Sequence, residues 1–90
     1  MLPFFIMNDE YFIYLLESEK TGIWYVGLSS DPESRLIQHN HGKSKFTSGH
    51  IPWKMIYIEK AGDLKNARKL EKYYKSAAGK RRLNKILGRN

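Results

Sequence analysis

Two short runs of β-branched and aromatic residues constrain this chain most. Tyr11-Phe12-Ile13-Tyr14-Leu15-Leu16 is bounded by Asn8-Asp9 and by polar Glu17 to Lys20. Ile23-Trp24-Tyr25-Val26-Gly27 follows across a Thr21-Gly22 turn. Such side chains suit a pleated, half-buried surface, and the bracketing polar and turn residues end each run. A connection of about five residues is within the range of hairpin loops. The predicted seed of the fold is therefore an antiparallel hairpin, and its pairing brings Tyr14 and Tyr25 near one another.

The next signals are helical. Asp31 can cap, Pro32 suits the first helical position, and Glu33 favours the positive end of the dipole. Leu36 and Ile37 are the apolar contacts of this helix, and Gly42 is its predicted stop. Residues 42–52, rich in Gly, Ser and Lys, read as a loop. Trp53 to Glu59 reads as a third strand. Asp63 caps a second helix, with Leu64, Ala67, Leu70 or Glu71, Tyr74 and Ala78 at helical steps and Gly79 as its expected end. A short third helix is expected at Lys80–Leu87. The order is β-β-α-β-α-α, an α+β class in which helices flank a small three-stranded antiparallel-type sheet.

Ninety residues make one domain. Residues 1–9 read as an N-terminal tail and 10–90 as the domain. The apolar MLPFFIM stretch is too short for a signal peptide or membrane span, and is expected to pack on the domain or on a dimer partner. No membrane association is expected. Cysteine is absent, which excludes a disulfide framework and thiolate zinc sites and fits a reducing, cytoplasmic compartment. The net charge of +7 is unevenly spread. Residues 1–42 hold two Lys/Arg against six acids, a balance of −4; residues 43–90 hold fourteen against three, a balance of +11. That polarity suits a polyanionic partner.

The sequence also carries an ordered constellation. Phe12-Ile13-Tyr14, then ten residues, then Tyr25-Val26-Gly27 resembles the two-part signature of the GIY-YIG endonucleases. Arg35 follows on the next helix, with His39 one turn later, and Glu71 lies mid-helix after the third strand. Gln38-His39-Asn40, Thr47-Ser48 and Pro52-Trp53 resemble the short single-domain bacterial members. The chain departs from the pattern twice. Phe12 stands where the first motif opens with glycine, and Leu28 where the repair-nuclease branch tends to carry lysine.

The resemblance implies hydrolysis of phosphodiester bonds in DNA, in repair or recombination, with one divalent metal, Mg²⁺ or Mn²⁺. Such chemistry needs an activated water and stabilised charge on the phosphoryl oxygens. The resemblance implies that Tyr14 or Tyr25 orients or deprotonates the water; the sequence leaves both open. Arg35 offers a planar fork to two phosphate oxygens. His39 lies on the same helical face, within reach of the same phosphate. Glu71 is the expected metal ligand, since Mg²⁺ is often held by one carboxylate plus waters and phosphate oxygens. Lys43, Lys45, Lys65, Lys69, Lys72, Lys80, Arg81 and Arg82 are candidates for a surface that tracks phosphates.

Each residue also has a structural reading. The tyrosines could be sheet aromatics, Arg35 a surface ion-pair partner, and Glu71 a helix partner of Lys75. His39, His41 and His50 match no closed zinc pattern. The ordered set favours a stand-alone nuclease domain, a monomer or weak homodimer, whose substrate targeting is left to nucleic-acid shape or a protein partner. The alternatives are a binding module of the same fold with little or no catalysis and, more distantly, a protein-interaction domain.

Overall fold

The computed structural model describes residues 10–89, so the expected N-terminal tail lies outside the described residues. The elements are β1 (Tyr11–Ser18), β2 (Trp24–Ser29), α1 (Pro32–Asn40), α2 (Lys45–Ser48), β3 (Trp53–Gly62), α3 (Leu64–Lys75) and α4 (Ala77–Ile86). The sheet is antiparallel with order β2-β1-β3. The hairpin forms as expected, with Tyr14 opposite Gly27 and Leu16 opposite Tyr25. Its turn is closed by Ser18, whose hydroxyl accepts from the backbone N–H of Lys20 and Thr21. Gly22 takes φ +79°, a left-handed conformation that glycine adopts without steric cost.

β1 is the central strand, and both of its faces are covered. Ile13, Tyr14, Leu15 and Leu16 are each no more than 1% exposed, which explains why this run is continuously apolar rather than alternating. Ile13 and Leu15 pack with Val26, Tyr74 and Leu83 in the core beneath α3 and α4. Tyr14 and Leu16 pack with Trp53 on the opposite face, joined by Tyr25, Leu36 and Met55. The sheet thus separates a helical-pair layer from an α1–α2 layer.

The helix starts match expectation: Asp31 accepts from Ser34 N at 3.2 Å and Asp63 from Asn66 N at 2.9 Å. Gly42, at φ +76°, stands just beyond α1. Three boundaries differ. The 42–52 segment is not wholly loop, because one turn of helix, α2, turns Thr47 inward. β3 continues past Glu59 to Gly62, since β1 is long enough to pair Tyr11 with Gly62. The second helix stops at Ser76 rather than at Gly79. Ser76 is extended (φ −83°, ψ 167°), and its side chain accepts from Gly79 N, capping α4. Gly79 therefore sits in the first turn of α4. Glycine is needed there because a Cβ would lie 2.5 Å from Tyr74 Cα and closer still to the Tyr73 carbonyl oxygen.

Candidate active site

The site is built on the α1–α2 face of the sheet. Tyr14 points to this face from β1, and its ring lies across the backbone of Gly27. A Cβ at Gly27 would come within 2.6 Å of Tyr14 Cε1 and closer still to Cζ and the hydroxyl. The glycine that closes the second strand motif is thus the seat of the tyrosine from the first.

The Tyr14 hydroxyl stands 3.1 Å from His39 Nε2, a buried contact between β1 and α1. His39 Nδ1 lies 2.9 Å from Thr47 Oγ1 on α2, and the Thr47 hydroxyl donates in turn to the Ser44 carbonyl at 3.4 Å. Tyr14, His39 and Thr47 are all at most 1% exposed, and no buried side-chain nitrogen or oxygen among the described residues lacks a partner. Leaving one of these groups unpaired would cost about 1–3 kcal/mol. Tyr25, opposite Leu16, has its ring centroid 4.8 Å from that of His39 and 6.4 Å from that of Tyr14. It is half-buried and also packs beside Phe46 and Trp53.

Arg35 is half-buried one turn before His39 and donates from Nη1 to Gln38 Oε1 at 2.9 Å. Its electrostatic effect reaches both neighbours. Burial pushes the Tyr14 phenol above its usual value, opposed by a hydrogen bond from Arg35 and by its charge; the nearby Tyr25 and, most weakly, Glu71 add to the rise. Burial holds His39 below its usual value, and the Arg35 charge lowers it further. Both effects disfavour the charged ring and keep the imidazole in its neutral form at neutral pH.

Glu71 is half-buried on α3, beside the inward-facing Ala67 and Tyr74, and pairs with Lys75 Nζ at 3.1 Å. Among the described residues no three His, Cys, Asp or Glu side chains cluster as a ready-made metal cage. The donor set is thus one hard carboxylate oxygen pair, which suits a cation that keeps most of its waters and takes further oxygens from a phosphate. His41 is exposed, and His50 Nδ1 meets Thr21 Oγ1 at the hairpin loop, so the three histidines do not assemble. Leu28 packs into the core on the other face, so its side chain takes no part here.

The basic candidates divide. Lys43 and Lys45 are exposed around the start of α2, near the tyrosine cluster's layer. Lys65, Lys69 and Lys72 form an exposed row along α3, which belongs with α4 to the helical-pair layer. Lys80, Arg81 and Arg82 are exposed on α4, which packs on the opposite sheet face.

Several contributors carried no assigned role in the sequence reading. Thr47 is one; with Ser48 it marked only the family resemblance, and its task shows once the fold buries it. Asn40 is another. Its Oδ1 accepts from Trp53 N at 2.6 Å and its Nδ2 donates to Trp53 O at 3.0 Å, tying the end of α1 to the start of β3. Trp53 Nε1 donates to Thr47 O at 2.8 Å and anchors α2.

One side of the three-stranded sheet thus gathers a glycine-seated tyrosine, a second tyrosine beside it and the Arg/His face of α1. The chain belongs to the GIY-YIG family: the model of the GIY-YIG catalytic domain matches residues 10–85. Among similar proteins, UPF0213 protein spr1390 of Streptococcus pneumoniae is 33% identical over 70 residues, 77% of this chain and 70% of the relative. UPF0213 protein SSP2268 of Staphylococcus saprophyticus is 32% identical over 79 residues, 87% of this chain and 95% of the relative. The structure-specific endonuclease subunit slx1 of Xenopus laevis is 38% identical over 52 residues, 53% of this chain but 18% of that protein. Of several other curated relatives the chain spans 54% to 62% of the length. No helix among the described residues is long and apolar enough to cross a membrane.

Proposed function

We propose that this protein is a divalent-metal-dependent endonuclease that hydrolyses phosphodiester bonds in DNA. The observation that carries the reading is the meeting of Tyr14, Tyr25, Arg35 and His39 on one face, with the charge of Glu71 within range of Tyr14. Membership of a nuclease family and likeness to an endonuclease subunit support it.

The two tyrosines take different tasks. Tyr14 is buried and bonded to His39, whereas Tyr25 is half-exposed. Tyr25 is therefore the phenol that meets and aligns the attacking water. Tyr14 positions His39, and the Thr47 hydroxyl, directed to the Ser44 carbonyl, leaves Nδ1–H as the donor to Thr47 and Nε2 as acceptor of the Tyr14 proton. Arg35 clamps phosphoryl oxygens, and its charge grows in value as negative charge builds in the transition state. Glu71 would hold Mg²⁺ or Mn²⁺ after yielding Lys75 to solvent; the bound metal supplies charge neutralisation at the phosphoryl and leaving oxygens. Lys43, Lys45, Lys65, Lys69 and Lys72 attract and track the backbone. A protein partner that supplies targeting fits both the small size of the domain and the word "subunit" in the slx1 name.

Binding without cleavage is the second reading, favoured by the Glu71–Lys75 pair, which is an ordinary helix-surface contact. A cleavage assay with Mg²⁺ and Mn²⁺ on linear, nicked, flapped and branched DNA separates the two. Metal-dependent products that vanish in Glu71→Ala support the nuclease. DNA binding with no products on any substrate gives the second reading the field.

A further inference from the structure

The other face of the sheet carries a groove that the proposed chemistry does not use. α4 lies on the side of Ile13, Leu15 and Leu83, across the sheet from Tyr14 and Tyr25. A groove of about 630 Å³ there is lined by Tyr73, Arg81, Arg82, Asn84, Lys85 and Arg89. Four of these six side chains are cations. Arg89 is anchored to Glu17, with Nη1 donating to Oε2 at 2.5 Å, and Arg82 lies beside the Tyr74 phenol, which itself donates to Glu59. Arg81 and Lys85 are exposed and take part in no ion pair among the described residues. Tyr73 is 40% exposed, with the Tyr74 ring beside its own at a centroid distance of 5.3 Å.

An aromatic ring among guanidinium and ammonium groups distinguishes two kinds of polyanion. A duplex keeps the faces of its bases stacked inside, so Tyr73 would find none to stack on. An unpaired strand presents bases that stack on an exposed ring while its phosphates meet the cations. The volume is within the range, about 300–1,000 Å³, of pockets that hold small organic ligands. We infer that this groove binds an unpaired single-stranded segment of nucleic acid, on the face of the sheet opposite the candidate active site. The inference rests on the nucleic-acid reading above and adds to it a substrate element: a strand long enough to pass from one face to the other, or a second arm of the same molecule.

The test uses the full chain in metal-free buffer, with a labelled oligothymidine of about 12 nucleotides and a blunt hairpin duplex as probes, read by fluorescence anisotropy. Tyr73→Leu is expected to weaken oligothymidine binding about 5- to 150-fold, the loss of one stacked base, and to lower the ratio of single-strand to duplex affinity by the same factor. Tyr73→Phe keeps the ring and should restore the ratio. Arg81→Ala with Lys85→Ala should reduce the salt slope for oligothymidine by about 1.4, two phosphate contacts at about 0.7 each. Circular dichroism checks that each variant is folded. An unchanged ratio in folded Tyr73→Leu, an equal loss on both probes, or a Tyr73→Phe variant as weak as Tyr73→Leu overturns the inference. The nuclease reading fails separately. Single-strand binding that depends on Tyr73, without metal-dependent cleavage, leaves the groove and removes the enzyme, and cleavage with an unchanged ratio does the reverse.

Discussion

Replacing Gly27 by alanine adds one methyl group where the Tyr14 ring now lies. The new Cβ would stand 2.6 Å from Cε1 and nearer to Cζ and the hydroxyl, against about 3.5–4.0 Å for an ordinary carbon contact. The ring must therefore shift by about 1 Å or more. It has little room, since Tyr14 is 1% exposed and packed among Leu16 and Trp53. Overpacking of this kind costs about 1–3 kcal/mol. Displacing the hydroxyl from His39 Nε2 breaks a buried hydrogen bond and adds about 1 kcal/mol. The expected loss is about 2–4 kcal/mol, a fall in melting temperature of roughly 10–30 °C for a domain of this length. Urea and thermal unfolding followed by circular dichroism measure it. The same substitution in a Tyr14→Leu background isolates the cause. Without the ring the added methyl meets no clash and should cost less than about 0.5 kcal/mol, because alanine suits a strand no worse than glycine. A loss of equal size in both backgrounds, or less than about 0.5 kcal/mol in the parent, refutes the claim that Gly27 is the seat of Tyr14.

Glu71→Ala should abolish metal-dependent cleavage and leave DNA affinity unchanged or higher, since an acid leaves a basic surface; filter binding beside the cleavage assay checks both. Arg35→Ala should lower kcat by about 10²–10³-fold with a smaller effect on KM, and Arg35→Lys should recover little because the planar fork is lost. Tyr25→Phe should reduce turnover more than Tyr14→Phe, which should mainly lower stability by about 1 kcal/mol; the reverse order of rates would transfer the water to Tyr14. His39 is held below its usual value when folded, so its contribution is complete above the unfolded value of about 6.5 and is lost as pH falls through the lower folded one. Unfolding free energy should therefore drop below about pH 6.5, and the drop should shrink in His39→Gln.

The elements themselves were legible in the sequence because their signals are local. β-Branched and aromatic runs around Thr21-Gly22 specify the hairpin, and Asp31-Pro32 and Asp63 specify two helix starts whose caps form as expected. The spacing of Tyr14, Tyr25, Arg35, His39 and Glu71 was legible as an ordered set, and four of the five meet on one face. What the sequence left open depends on contacts between distant residues. Gly79 looked like a helix end, yet its role is close approach to the Tyr73 carbonyl, while Ser76 makes the break. Thr47 carried no role until α2 brought its hydroxyl to His39, and the difference between the tyrosines emerged only when burial closed one and left the other half-open. The basic residues looked like one surface because a charge count has no direction. The sheet separates them, since α3 and α4 must bury Tyr74 and Leu83 against Ile13 and Leu15, which places the basic residues of both helices in the helical-pair layer and leaves Lys43 and Lys45 in the layer of Tyr14. Local propensity and capping act over a few residues and can be read along the chain. Burial, close approach and the sharing of one hydrogen-bond chain by three elements exist only once those elements have packed.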